Sequence, residues 1–229
     1  MRLTYQGRRV VVLDDVLTGE GAELVWRWFQ SQQSGVYAPG NGARRPVDGI
    51  VYASSSTTID AAGSAKTLVD QTLLAAAALA KDVVGVAERD WSSATRTCWS
   101  YPAGTQAGWH NDGPDTQTGA FVWYMHPRWG ASWGGELLVV DSCASDMVKQ
   151  SLESGLVVQG ATESPLSTDA ETDVLFAVAD PLCFQPRPNR MVLLTSDTFH
   201  TVRRVDPSAG DRLRSSLAGF FIKASTRMS

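Results

Sequence analysis

The sequence predicts a mainly β protein with flanking α-helices, built as a sandwich or barrel of two sheets buttressed by helices near the N terminus. Three observations carry this. The two main helical signals lie before Ala94, and only "SDMVKQSLESG" in the later part of the chain also reads as a short helix. From Ala94 onward short runs of strand type follow one another, separated by Gly, Pro, Asp and Asn. No internal repeat and no linker-like stretch interrupts the chain, so one domain is expected over 1–229, with a strand and support helices in 1–90 and the sheet core in 91–229.

In chain order, "RRVVVLDDVL" is a β-branched run and reads as a strand. "TGEGAELVWRWFQSQQSG" reads as a helix. Thr18 is its expected N-cap, and Glu20 and Glu23 lie in its first turns, where the helix dipole favours acids. Leu24, Val25, Trp28 and Phe29 form its apolar face, and Gly35 is its expected stop. "APGNGARRPVDG" has the composition of a loop. "DAAGSAKTLVDQTLLAAAALAKDVVG" carries the longest helical signal, with a face through Leu68, Val69, Leu73, Ala76 and Ala80. "TRTCWSY", "GAFVWYM", "GELLVVD", "VLFAV", "RMVLLTS" and "RSSLAGFFIKA" are the expected strands. The segment 143–188 is the least regular, with "GATESPLSTDAETD" a polar loop.

The chain has 229 residues, 43% hydrophobic and 19% charged, as in an ordinary globular protein. A formal net charge of -4 gives no general footing for nucleic acid, and the pairs Arg8-Arg9, Arg44-Arg45 and Arg203-Arg204 read as solvated surface. Three separated cysteines, Cys98, Cys143 and Cys183, argue against a disulfide framework and fit a reducing cytoplasm. "MRLTYQGRRVVVLDD" is not a signal peptide, and no apolar run is long enough to span a membrane. Six of the eight tryptophans fall between Trp91 and Trp133, which suits either core packing or the wall of a pocket.

His110 and Asp112 stand two apart in "AGWHNDGPD". On an extended chain such residues point the same way. An imidazole and a carboxylate then converge, and one more histidine completes the 2-His-1-carboxylate set that holds Fe(II) with open positions. His126 and His200 are the two candidates. His200 is favoured, because it ends an apolar strand and a polar turn, whereas His126 adjoins a proline.

"YPAGTQAGWHND", with Tyr101, Gly104, His110 and Asp112, resembles a segment of the prolyl-4-hydroxylase-like Fe(II)/2-oxoglutarate oxygenases. "FVWYMHPRWGASWGGELLVV" is similar to the strand pair that follows it in that family, through Tyr124, Trp129, Gly134 and Gly135. "QPRPNRMVLLTSDTFHTV" resembles the family's strand leading to the distal histidine, and "RSSLAGFF" its terminal strand. The motifs come in family order over roughly residues 90 to 222.

The resemblance implies a double-stranded β-helix, also called a jelly roll or cupin-like fold. It implies Fe(II) on His110, Asp112 and His200, with 2-oxoglutarate and O2 as co-substrates and ascorbate as an auxiliary reductant. It implies a dioxygenase that hydroxylates an unactivated C–H of a small molecule, an amino acid or a natural-product intermediate. A peptidyl-prolyl hydroxylase is the alternative within the class, and a non-catalytic cupin-type binding module the alternative outside it. In related halogenases a small residue replaces the carboxylate, so Asp112 favours hydroxylation or another oxidation. The distal carboxylate of 2-oxoglutarate calls for a buried guanidinium. "TVRRVDPSAGDRL" is longer than usual and leaves Arg212 and Arg214 as candidates. Arg214 fits the register of Leu217, Phe220 and Phe221.

Tyr124 and Ser216 are expected to add hydrogen bonds to the same carboxylate, and Tyr101 to line the pocket or pack. Gly134-Gly135 reads as a bulge or close approach, Cys98 as a small apolar filler, and the segment 143–188 as a lid over the pocket.

Overall fold

The structure, a computed structural model, describes residues 1–32, 34–36, 47–62, 67–112, 115–141, 176–177 and 180–224. The chain opens with a hairpin of β1 (Arg2–Gln6) and β2 (Val10–Asp14), followed by helix α1 (Gly19–Ser31). Short strands β3 (Ser34–Val36), β4 (Val47–Asp48), β5 (Tyr52–Ser54) and β6 (Thr57–Asp60) come next. Helices α2 (Leu68–Leu79) and α3 (Lys81–Val84) lead into β7 (Trp91–Tyr101), β8 (Gln106–His110), β9 (Gln117–Tyr124) and β10 (Leu137–Val139). The last strands are β11 (Leu182–Phe184), β12 (Met191–Thr195), β13 (His200–Val202) and β14 (Arg214–Lys223).

Among the described residues these strands form two antiparallel sheets. The larger runs β1-β2-β12-β9-β14-β7-β5-β3, with β6 also on β7. The smaller runs β11-β10-β13-β8-β4. The fold is mainly β, a double-stranded β-helix with helices packed on the outer face of the larger sheet.

Alternation along the central strands explains both layers. Val11 and Leu13 of β2, Met191 and Leu193 of β12, and Leu217 and Phe221 of β14 face the helices. Val10, Val12, Val192 and Leu194 face the smaller sheet. β2 and β12 are covered on both sides and so are almost wholly apolar, whereas β14 opens with the buried polar residues Arg214, Ser215 and Ser216 before its apolar part. Each fully buried aliphatic side chain contributes about 1.5–3 kcal/mol.

The helices follow their sequence signals with two differences. Thr18 caps α1, its hydroxyl accepting from Gly21 N–H, but Leu24 is 60% exposed while Val25 and Phe29 are buried. Gly35 lies within β3 and does not terminate α1. Thr67 and Asp70 form a capping box at α2. Asp70 also pairs with Arg96 of β7 and so ties that helix to the sheet. Of "VLFAV", residues 176–177 are helical rather than extended. The polar loop "GATESPLSTDAETD" and most of the expected lid lie outside the described residues.

The start of β12, the strand before His200, is anchored to the N-terminal hairpin by charge. Arg190 donates through Nε and Nη2 to Asp14 at 2.6 and 2.9 Å. Asn189 holds the start of α1 by donating to Leu17 O and accepting from Leu17 N–H. The hydrogen bonds from Arg190 hold the Asp14 carboxyl below its ordinary pKa, outweighing burial, with help from Arg187 and Arg2. The folded pKa is depressed, so this contribution is present above the unfolded carboxylate value and is lost as pH falls through the folded one. Acidification below about pH 4 should therefore lower stability. Asp14→Asn should flatten that decline and lower stability at neutral pH by about 3–5 kcal/mol, because it strands a buried guanidinium. Urea unfolding of both proteins across pH is the measurement. An unchanged acid slope in the variant would remove Asp14 as its source.

Candidate metal centre

His110 ends β8 and His200 begins β13. They are direct cross-strand partners, and the ladder is irregular between that pair and Val202↔Ala107. Their ring centroids lie 4.3 Å apart. Asp112 follows β8 by two residues, with its N–H donating to Ser196 O at 3.1 Å. Its carboxylate faces both rings, Oδ1 at 3.8 Å from His110 Nε2 and Oδ2 at 3.7 Å from His200 Nε2. The three ligand atoms fall within 4.8 Å of one another, and all three residues border one cavity.

The histidine tautomers follow from the neighbours. His110 Nδ1 lies 2.7 Å from Gly108 O, and His200 Nδ1 lies 2.9 Å from Thr198 O. A carbonyl oxygen can only accept, so both Nδ1 atoms carry the proton. Both Nε2 lone pairs are then turned toward Asp112. The 3.7–3.8 Å separations are too long for hydrogen bonds and leave room for an ion between the donors. Two neutral imidazoles and one carboxylate, with each ring held by a backbone carbonyl, fit Fe(II).

The cavity also contains a cation. Arg214 opens β14 opposite Tyr101 of β7 and is 1% exposed. Its Nε donates to Gly135 O at 2.7 Å and its Nη2 to Tyr124 Oη at 3.3 Å. The guanidinium carbon sits 4.9 Å from the Tyr124 ring centre and 5.4 Å from that of Tyr101. No carboxylate among the described residues pairs with it. A buried guanidinium that meets no carboxylate among the described residues and faces the same cavity as the triad fits a dicarboxylate co-substrate.

Gly135 makes this approach possible. Its φ is +73°, and a Cβ there would stand 2.7 Å from Arg214 Cδ. Gly134, at φ +69°, passes Arg204 O so closely that a Cβ would lie 2.2 Å away. The Gly-Gly pair is thus a backbone requirement, as its sequence position suggests.

The remaining candidates separate clearly. Ser216 and Tyr101 are buried and line the triad cavity. Tyr124 does not line it, and its role in the structure is to accept from Arg214. Burial pushes the Tyr124 hydroxyl above its ordinary pKa despite the nearby arginine, so it stays protonated. Arg212 is exposed, with its guanidinium 4.7 Å from the Trp133 ring centre. His126 is away from the triad. Its Nε2–H donates to Pro186 O at 2.7 Å, and its Nδ1 accepts from Ser215 N–H at 3.2 Å. Burial pushes its pKa down to about 4, which keeps it neutral.

Cys98 packs in the helix-side core, and burial pushes its thiol up to about 11. Of the six clustered tryptophans only Trp99 lines the triad cavity, while Trp91 and Trp123 fill the core under the helices. The sequence reading did not name Ala218 and used Phe220 only to set the register, yet both border the cavity. The signal was present, because Arg214, Ser216, Ala218 and Phe220 alternate along one strand.

The model of the 2OG-Fe(II) oxygenase superfamily matches residues 97–222. A Pseudomonas putida prolyl-4-hydroxylase is similar in structure, with a TM-score of 0.57 at 15% identity over 95% of this chain and 94% of that one. The non-heme α-ketoglutarate-dependent epimerase SnoN, from nogalamycin biosynthesis, aligns at a TM-score of 0.56 with 15% identity, over 95% of this chain and 80% of that one. HygX from Streptomyces hygroscopicus, with nickel and 2-oxoglutarate bound, aligns at 0.53 with 14% identity, over 93% and 82%. No curated protein sequence matches.

Proposed function

We propose a substrate class from one premise: this chain belongs to the 2OG-Fe(II) oxygenase superfamily and is an Fe(II)- and 2-oxoglutarate-dependent enzyme. The proposal is that it hydroxylates an unactivated C–H of a neutral small molecule. His110, Asp112 and His200 are the proposed ligands of Fe(II). Arg214 is the proposed partner of the distal carboxylate of 2-oxoglutarate, with Ser216, Tyr124 and Tyr101 around it. Bound Fe(II), with 2-oxoglutarate and O2, supplies oxidation of the substrate coupled to release of succinate and CO2. The residues hold and orient. Gly108 O and Thr198 O fix the two imidazoles, and Gly135 O and Tyr124 fix the guanidinium.

The observation that carries the substrate class is a second cavity that shares part of its wall with the first. Its volume is about 420 Å³, and Ser54, Ser56, Thr95 and Thr97 line it together with Trp99 and Phe220. Trp99, Ala218, Gly219 and Phe220 border both cavities, so the second adjoins the one that holds the triad. This is within the range of small-molecule sites, roughly 300–1,000 Å³. Hydroxyls and aromatic rings, with no charged side chain among its described lining, suit a neutral hydroxyl-bearing molecule. They suit a natural-product intermediate better than a free amino acid, whose two charges would need partners.

The test is a substrate screen by succinate release coupled to product mass. It compares free amino acids, proline-containing peptides and neutral polyhydroxylated ring compounds. Gain of one oxygen by a neutral compound is the expected result. Turnover of the peptides alone would replace this reading by the peptidyl-prolyl one.

A further inference from the structure

The turn Thr195–Thr198 between β12 and β13 reaches two of the three proposed ligands at once. Ser196 O accepts from Asp112 N–H at 3.1 Å, and Thr198 O accepts from His200 Nδ1 at 2.9 Å. The orientation of one imidazole and the backbone of the carboxylate therefore depend on one four-residue turn.

That turn is fixed internally and from outside. Thr198 N–H donates to Thr195 O at 3.2 Å. The Thr195 hydroxyl is 2.8 Å from Asp197 Oδ1 and 2.6 Å from the Thr198 hydroxyl. A carboxylate only accepts, so Thr195 donates to Asp197 and accepts from Thr198. Asp197 then meets Arg9, whose Nη1 lies 2.7 Å from its Oδ2. Arg9 O also accepts from Thr195 N–H at 3.0 Å, and Arg9 N–H donates to Asp141 Oδ1 at 2.6 Å, just beyond β10. Val140 N–H in turn donates to Phe199 O at 2.9 Å. Arg9 precedes β2 and lies outside the matched span 97–222. Its side chain is 10% exposed, so the charge is placed for a partner within the protein.

We propose that Arg9 is a positioning residue for the metal centre, acting through its ion pair with Asp197 on the turn that holds Asp112 and His200. The proposal rests on the ligand assignment above. The N-terminal hairpin then belongs to the metal site as well as to the sheet. Partners that orient metal ligands typically change metal affinity by about 10–100-fold when removed.

The test is anaerobic titration of the full-length protein with Co(II) alone, followed by its visible absorption. Melting curves are recorded alongside. Arg9→Gln and Asp197→Asn should each weaken Co(II) about 10–100-fold and change the shape of the band. The double variant should be no weaker than either single one, because both cut the same link. Arg9→Lys should recover part of the affinity. His200→Ala serves as the reference, and Co(II) affinity retained there would overturn the ligand assignment itself. Loss of Co(II) in His200→Ala with wild-type affinity and band in Arg9→Gln and Asp197→Asn would overturn the positioning role alone, even if both variants melt earlier. If Arg9→Gln does not fold, Asp197→Asn decides, since it keeps the shape of the turn and an acceptor for Thr195.

Discussion

Replacing His200 by alanine should leave a folded protein that neither binds Fe(II) tightly nor releases succinate from 2-oxoglutarate. The ring is one of two imidazoles facing Asp112, and no other histidine can take its place. His126, the remaining one, has both nitrogens engaged, on Pro186 and Ser215. The fold should persist, because β13 is held in the smaller sheet by β8 and β10 through its backbone. His110→Ala and Asp112→Ala should behave alike. His126→Ala gives the contrast. It should keep Fe(II) and activity but lose about 1–3 kcal/mol of stability by leaving buried backbone groups unsatisfied. Anaerobic Fe(II) titration with 2-oxoglutarate, read by the visible charge-transfer band, tests all four. Wild-type turnover in His200→Ala would end the assignment.

Arg214→Ala should raise the apparent 2-oxoglutarate constant by about ten- to a hundredfold. A charge-assisted hydrogen bond contributes roughly 1.5–3 kcal/mol, and about 1.4 kcal/mol is a tenfold change. Arg212→Ala should change the constant little, since its guanidinium lies on Trp133 at the surface. The measurement is 2-oxoglutarate titration of succinate release at saturating iron in both variants. A large effect of Arg212→Ala with none of Arg214→Ala would move the co-substrate site away from the buried guanidinium.

What the sequence disclosed follows from which features are periodic. His110 and Asp112 were readable as a pair because they stand two apart. That His110 and His200 face each other across a ladder is a long-range pairing, which no local pattern carries. The apolar runs of β2, β12 and the later part of β14 announced themselves because both faces are covered. The edge strand β1 did not, since "RLTYQ" is almost entirely exposed and lacks alternation. Leu24 falls with Val25, Trp28 and Phe29 in the apolar pattern of α1, yet it is one 100° step from Val25 and lies in solvent. Arg9 was read with Arg8 as solvated surface. Its partner Asp197 is nearly two hundred residues away, so its burial could not be seen locally.

Strand β14 has an implication for how such a protein can diversify. Under the proposed roles, Arg214 and Ser216 serve the co-substrate, while Ala218 and Phe220, next on the same face, border the substrate space. Selection can therefore act on one half of the strand and spare the other, and new substrate preferences can arise by point substitution while the shared oxidant is kept. Inserted or deleted residues have no such freedom. A shift of one position would turn all four side chains toward the helices and bring Leu217 and Phe221 into the cavity. Among descendants of a common ancestor, β14 should thus vary in letters at 218 and 220 but not in length.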